Sequence, residues 1–133
     1  MKAEINWTGH GLQYKGQDER GANILIDGKS VIGPSPMNLL LFGVASCSAS
    51  DVIDILGKMR EPLPELRIAV EAVRGDGDYP RIWEKMHLLY YFKGETDRKK
   101  AEKAVKLSMD KYCSVSAMLK ESSEISYELI WED

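Results

Sequence analysis

Cys47 and Cys113 are the only thiols in this chain of 133 residues, and both stand in contexts that suit thiol chemistry. Cys47 lies inside Gly43-Val44-Ala45-Ser46-Cys47-Ser48-Ala49, in the middle of a long apolar run that reads as a buried helix. Cys113, 66 positions further on, sits in Lys111-Tyr112-Cys113-Ser114-Val115-Ser116, where a charged amphipathic helix ends and a short one begins. If the fold brings them together, the chain holds a nucleophilic thiol and a second one able to resolve its oxidised form. Each also has a plainer reading, because a cysteine on an apolar helix is commonly a small core residue. About three turns into its helix, Cys47 gains little from the helix dipole and needs a nearby cation to favour its thiolate. Cys113 is better placed, with free helix-start N–H groups and Lys111 close by.

The other reactive side chains have simpler explanations. Asp51 and Asp54, three apart on the same helix, read as a polar stripe turned to solvent or to a partner subunit. His87, between Met86 and Leu88, reads as a hydrogen-bonded, half-buried strand residue. Neither His10 nor His87 has the short ligand spacing of a zinc motif, so no metal and no other cofactor is expected. Trp7, Trp83 and Trp131 fall on strand-like segments and read as core or interface residues.

Net charge is −3 with 29% charged residues, interspersed rather than blocked. No basic stripe is available to neutralise phosphates, which argues against nucleic acid as a partner. The first residues lack the apolar core of a signal peptide. The apolar run Met37–Ala45 is too short to span a bilayer. The expectation is a cytoplasmic protein with no membrane partner.

Those cysteines must be positioned by the rest of the chain. Ala3–Trp7, Leu12–Lys15 and Asn23–Asp27 read as three short antiparallel strands separated by glycine-rich turns. Ser35 is a suitable cap and Pro36 a suitable first residue for a helix running to about Arg60, closed by Pro62 and Pro64. Leu66–Val73 and Ile82–Lys93 read as a hairpin joined through Gly75–Pro80. Thr96 is the expected cap of a second helix reaching Tyr112. A short helix from Val115 to about Glu121 and a last strand, Ile125–Trp131, complete the order βββ-α-ββ-α-α-β. This is an α+β class, one domain over 1–133, with a mostly antiparallel sheet of about six strands around a long central buried helix. That helix is apolar nearly all round, and one sheet covers a single side. An intertwined homodimer would cover the rest.

Two segments carry a family resemblance. Gly33-Pro34-Ser35-Pro36-Met37-Asn38-Leu39-Leu40-Leu41 followed by Ala45-Ser46-Cys47-Ser48-Ala49-Ser50-Asp51-Val52 resembles the central helix of the OsmC family, the osmotically inducible and organic hydroperoxide resistance proteins. Lys111-Tyr112-Cys113-Ser114-Val115 resembles the family's second cysteine motif, and the cysteine separation suits it. The likeness covers essentially the whole chain and is greatest to the short OsmC-like redox-protein subgroup.

The resemblance implies a cysteine-based peroxidase of the oxidative stress response, a homodimer with its sites at the subunit interface. Cys47 would be the peroxidatic cysteine and Cys113 the resolving one. The substrate would be an organic hydroperoxide and the reductant an external dithiol. Family members carry a glutamate directly after the proline that opens the central helix, where it holds an arginine over the thiolate. Here Met37 takes that place, followed by Asn38. The family's arginine comes from the N-terminal strand region, which makes Arg20 the candidate; Arg81, at the start of the aromatic strand, is a second cation that folding could deliver. Without the carboxylate, slower turnover is expected. Two other functions fit the same scaffold: a small apolar ligand-binding or redox-sensing protein with little peroxidase activity, and a structural dimerisation module.

Overall fold

Strand alternation and glycine punctuation build the first third of the computed structural model, which describes all residues from Met1 to Asp133. The chain forms two compact units, Met1–Phe42 and Gly43–Asp133. In the first unit, β1 (Ala3–Trp7), β2 (Gln13–Asp18) and β3 (Asn23–Asp27) make an antiparallel sheet in the order β1-β2-β3. Gly16 faces Ile5 on one side and Ile24 on the other. A Cβ at Gly16 would lie 3.1 Å from Ile24 Cγ2 and 3.3 Å from Ile5 Cδ1, so the two isoleucines close over the bare backbone.

Asp27 ends β3 and organises the loop that follows. Its buried carboxylate accepts the backbone N–H groups of Lys29, Val31 and Ile32 at 2.8, 3.1 and 3.2 Å. Those donors, Lys29 foremost, hold its pKa below the usual carboxylate value. Gly33 then passes so close to β3 that an added Cβ would meet the Leu25 carbonyl oxygen. Ser35 caps the next helix, its Oγ accepting the Asn38 N–H at 3.2 Å.

That helix, α1 (Pro36–Lys58), ends where Arg60 adopts φ +59°. The Glu61 N–H reaches the Leu56 carbonyl and the Arg60 N–H the Gly57 carbonyl, which closes the helix in a Schellman motif. Its buried residues are Val44, Ser48, Val52 and Leu56, one stripe at four-residue spacing. Off that stripe, Leu40 and Phe42 are exposed in the single chain. The expectation of an apolar run too short for a bilayer changes. With 23 residues, α1 is long and apolar enough to cross a membrane by length and composition. Its stripe is nonetheless fully buried, and Ser48 on it bonds Tyr90, as in a core helix.

In the second unit, β4 (Glu65–Arg74) and β5 (Trp83–Lys93) form the expected hairpin. Met86, Leu88, Tyr90 and Phe92, at two-residue spacing, turn one face of β5 into the core. Each such side chain contributes roughly 1.5–3 kcal/mol when fully buried. β6 (Glu124–Trp131) pairs with β5 in parallel, giving the order β4-β5-β6. The six expected strands are thus present but divided between two three-stranded sheets. A parallel last strand follows from the connection, since a crossover of helices returns the chain in the same direction.

That crossover holds α2 (Arg98–Leu107), a π-helical turn (Ser108–Tyr112) and α3 (Ser114–Leu119). Asp97, not Thr96, caps α2, accepting the Lys100 N–H at 3.0 Å. The Thr96 hydroxyl instead donates to the Pro62 carbonyl and ties the helix start to the loop after α1.

Candidate active site: a thiol pair beside a buried hydroxyl chain

The α1 stripe points Ser48 into the core and leaves Cys47, one residue before it, half-buried at the rim. The π-helical turn delivers the other thiol. Its defining bond runs from the Cys113 N–H to the Ser108 carbonyl at 2.8 Å, and it ends at the buried Cys113. Cys113 also caps α3, its Sγ accepting the Ser116 N–H at 3.4 Å. The Ser116 hydroxyl donates to the Cys113 carbonyl at 3.0 Å, so side chain and backbone of Cys113 are both fixed.

Both cysteines are free, and Cys47 lies close enough to Cys113 to act on its thiol. Burial pushes the Cys113 thiol above its usual pKa; bonding from Ser116 opposes this and the contact with Cys47 adds to it. Cys113 is therefore the neutral, sheltered member of the pair, and Cys47 the accessible one.

Beside the thiols runs a chain of hydroxyls. Ser48 Oγ lies 2.6 Å from the Tyr90 hydroxyl and 2.8 Å from Ser108 Oγ, and all three residues are fully buried. Ser108 donates to Asp51 Oδ2 at 2.9 Å. A carboxylate accepts only, and each hydroxyl carries one proton. The direction is then fixed throughout: Tyr90 donates to Ser48, Ser48 to Ser108, and Ser108 to Asp51. Burial pushes the Tyr90 phenol up to about 12, with the bond between it and Ser48 opposing and Cys113 adding to the rise.

Asp51, expected on a stripe facing solvent or a partner subunit, accepts the Ser108 hydroxyl within the chain, whereas Asp54 is exposed and pairs with Lys58 at 3.0 Å. Arg20 lies on the exposed turn between β2 and β3 in the first unit, its N–H bonded to Asp18 at 2.9 Å. Arg81 stacks over Tyr79 and donates to the Gly77 carbonyl in the β4–β5 loop. Lys111 lies over the Tyr112 ring. His87 behaves as expected, bonded to Ser126 at 2.7 Å and to Glu128 at 3.3 Å on the sheet surface. Trp131 stacks on Phe92, and Trp7 is exposed in the single chain and donates to the Gly11 carbonyl.

Sequence reasoning missed Ser48, Tyr90 and Ser108 as a group. The signal was a hydroxyl on each of two otherwise apolar helix stripes, Val44-Ser48-Val52-Leu56 and Ala101-Ala104-Val105-Ser108. Buried serines on such stripes require partners.

The OsmC-like protein family model matches residues 27–128, a span that includes both cysteines and the whole hydroxyl chain. The chain belongs to the OsmC-like family. Protein YhfA of Escherichia coli K12 is 36% identical over 135 residues, covering 98% of each chain. A crystal structure of a hypothetical protein from Aquifex aeolicus superposes with a TM-score of 0.83 at 34% identity, over 99% of this chain and 97% of that one. The organic hydroperoxide resistance protein OhrB of Bacillus subtilis shares the fold, with a TM-score of 0.67 at 15% identity over 97% and 96% of the two chains. OsmC-like proteins are soluble globular proteins, which agrees with α1 as a core helix. Membership supports a redox or peroxide-related role for this OsmC-like chain.

Proposed function

We propose that the chain is a thiol-dependent reductase of organic hydroperoxides, with Cys47 as the peroxidatic and Cys113 as the resolving cysteine. The observation that carries this reading is the contact between a half-buried Cys47 and a buried Cys113. The Cys47 thiolate attacks the distal peroxide oxygen, forming an S–O bond as the O–O bond breaks. The alkoxide leaves with a proton as the alcohol, and Cys47 becomes a sulfenic acid. Cys113 sulfur then attacks the Cys47 sulfur; the S–O bond breaks and water leaves with the Cys113 proton. An external dithiol reduces the resulting disulfide and is itself oxidised. Arg20 is the proposed cation favouring the Cys47 thiolate, on family resemblance alone.

The whole chain acts as one domain in a cytoplasmic homodimer. Support for a second copy comes from apolar side chains left exposed: Leu40 and Phe42 on α1, and Ile5, Trp7, Ile24 and Leu25 on the first sheet.

Turnover tests the reading. With cumene hydroperoxide and a small dithiol, the native protein consumes peroxide catalytically, Cys47→Ser consumes none, and Cys113→Ser forms no intrachain disulfide and turns over only as the dithiol reduces the Cys47 sulfenic acid directly. Equal consumption by the native protein and Cys47→Ser would rule the reading out. A second reading, a binder of small apolar ligands or a redox sensor, is favoured by Met37 standing where the family's carboxylate would be. It is distinguished by negligible turnover together with retained apolar ligand.

A further inference from the structure

Ser108 connects to both cysteines through different parts of the same residue. Its side chain holds α1 on the segment that carries Cys47, bonding Ser48, the next residue, at 2.8 Å and Asp51, one turn on, at 2.9 Å. Its carbonyl holds Cys113 directly, accepting the Cys113 N–H at 2.8 Å. Its own N–H is bonded back into α2, to the Ala104 and Val105 carbonyls. Every polar atom of Ser108 is thus engaged, and the residue is fully buried. A π-helical turn is needed for this arrangement, because only a five-residue step links the Ser108 carbonyl to the Cys113 N–H.

We propose that Ser108, anchored by Asp51, is a positioning residue that sets the distance between the Cys47 and Cys113 sulfurs and so governs how readily the disulfide closes. The hydrogen bonds of Ser108 go to Ser48, to Asp51 and to the Cys113 backbone rather than to a sulfur. Ser108 acts by fixing the two backbones that carry the sulfurs, on α1 and at the end of the π-helical turn. The inference deepens the peroxidase reading, but closure can be measured without peroxide. Oxidised glutathione drives the same bond: one thiolate attacks the glutathione disulfide and releases reduced glutathione. The second protein thiol then attacks the mixed disulfide and releases another. The equilibrium position measures the effective concentration of the two thiols for each other. Misplacement of reacting atoms by about 1 Å can cost about a hundredfold, so removal of one tether is expected to cost on the order of tenfold.

The test equilibrates reduced native protein and variants with glutathione redox buffers and quantifies the Cys47–Cys113 disulfide by mass spectrometry. Ser108→Ala removes the hydroxyl. Asp51→Ala removes the anchor at a half-buried position and keeps the proposal testable if the buried variant fails to fold. Asp51→Asn retains an acceptor oxygen for Ser108. The expected result is an effective concentration lowered about tenfold in Ser108→Ala and Asp51→Ala, and restored to within about threefold of native in Asp51→Asn. A merely structural loss would move thermal stability without this pattern of rescue. Native-like closure in Ser108→Ala or Asp51→Ala would overturn the proposal, and so would native protein that forms no intrachain disulfide in glutathione. Native protein that closes with glutathione but does not react with hydroperoxide would refute the peroxidase reading and leave the positioning role standing.

Discussion

Ser48 and Tyr90, 42 positions apart in the chain, share a 2.6 Å hydroxyl contact to which solvent has no access. The contact joins α1 to the central strand β5 at the residue next to Cys47. Because the proton order runs from Tyr90 through Ser48 to Ser108, the two partners are not equivalent.

Removing them one at a time should expose that asymmetry. Ser48→Ala leaves the Tyr90 O–H without its acceptor and strips Ser108 of an incoming bond, both in the core. A cost of about 2–3 kcal/mol is expected, the range for orphaned buried polar groups plus a lost bond. Tyr90→Phe removes a donor but leaves Ser48 still donating to Ser108, so about 1 kcal/mol is expected. Urea unfolding of both variants measures the difference. A larger loss in Tyr90→Phe than in Ser48→Ala would contradict the assigned direction.

Alkaline stability follows from the same tyrosine. Burial raises the Tyr90 pKa to about 12 from 10.0, so the native state holds this proton more tightly than the unfolded chain does. Its contribution is complete below about pH 10 and declines as pH rises, because the unfolded phenol ionises first. A two-unit shift corresponds to about 2–3 kcal/mol lost between pH 10 and 12. Cys113, also raised by burial, adds in the same direction from about pH 9. Denaturant midpoints between pH 8 and 11.5 should fall more steeply for the native protein than for Tyr90→Phe. Parallel curves would show that Tyr90 titrates normally.

Association is tested at Phe42, which is 61% exposed on α1. Sedimentation should give a dimer for the native chain. Phe42→Glu, which would bury a charge in the proposed interface, should shift it to monomer at micromolar concentration with little loss of helix content. A native monomer, or a Phe42→Glu dimer, would argue against that interface.

Much of this fold was legible in local signals. Ser35, Pro36 and the alternation of Ala3–Trp7 place elements that depend mainly on neighbouring residues, and all three held. What escaped depends on partners distant in sequence. Thr96 and Asp97 both offer a capping oxygen; Asp97 caps because Pro62 takes the Thr96 hydroxyl, a contact 34 positions away. The strand count was readable, yet division into two sheets is decided by pairing and not by periodicity. Cys47 and Cys113 stood out as unusual residue types in unusual places. Ser108 did not, because serine on a helix face is ordinary until its three partners are known.

The central claim is that Cys47 and Cys113 are a working pair. Its most direct test is the mass spectrum of a proteolytic digest made without reductant, after brief treatment of the reduced protein with one equivalent of cumene hydroperoxide. The account predicts a Cys47–Cys113 linked peptide pair within single chains, formed in step with peroxide loss and absent from Cys47→Ser. Peroxide consumed while both thiols remain free, or Cys47 linked only between chains, would contradict it.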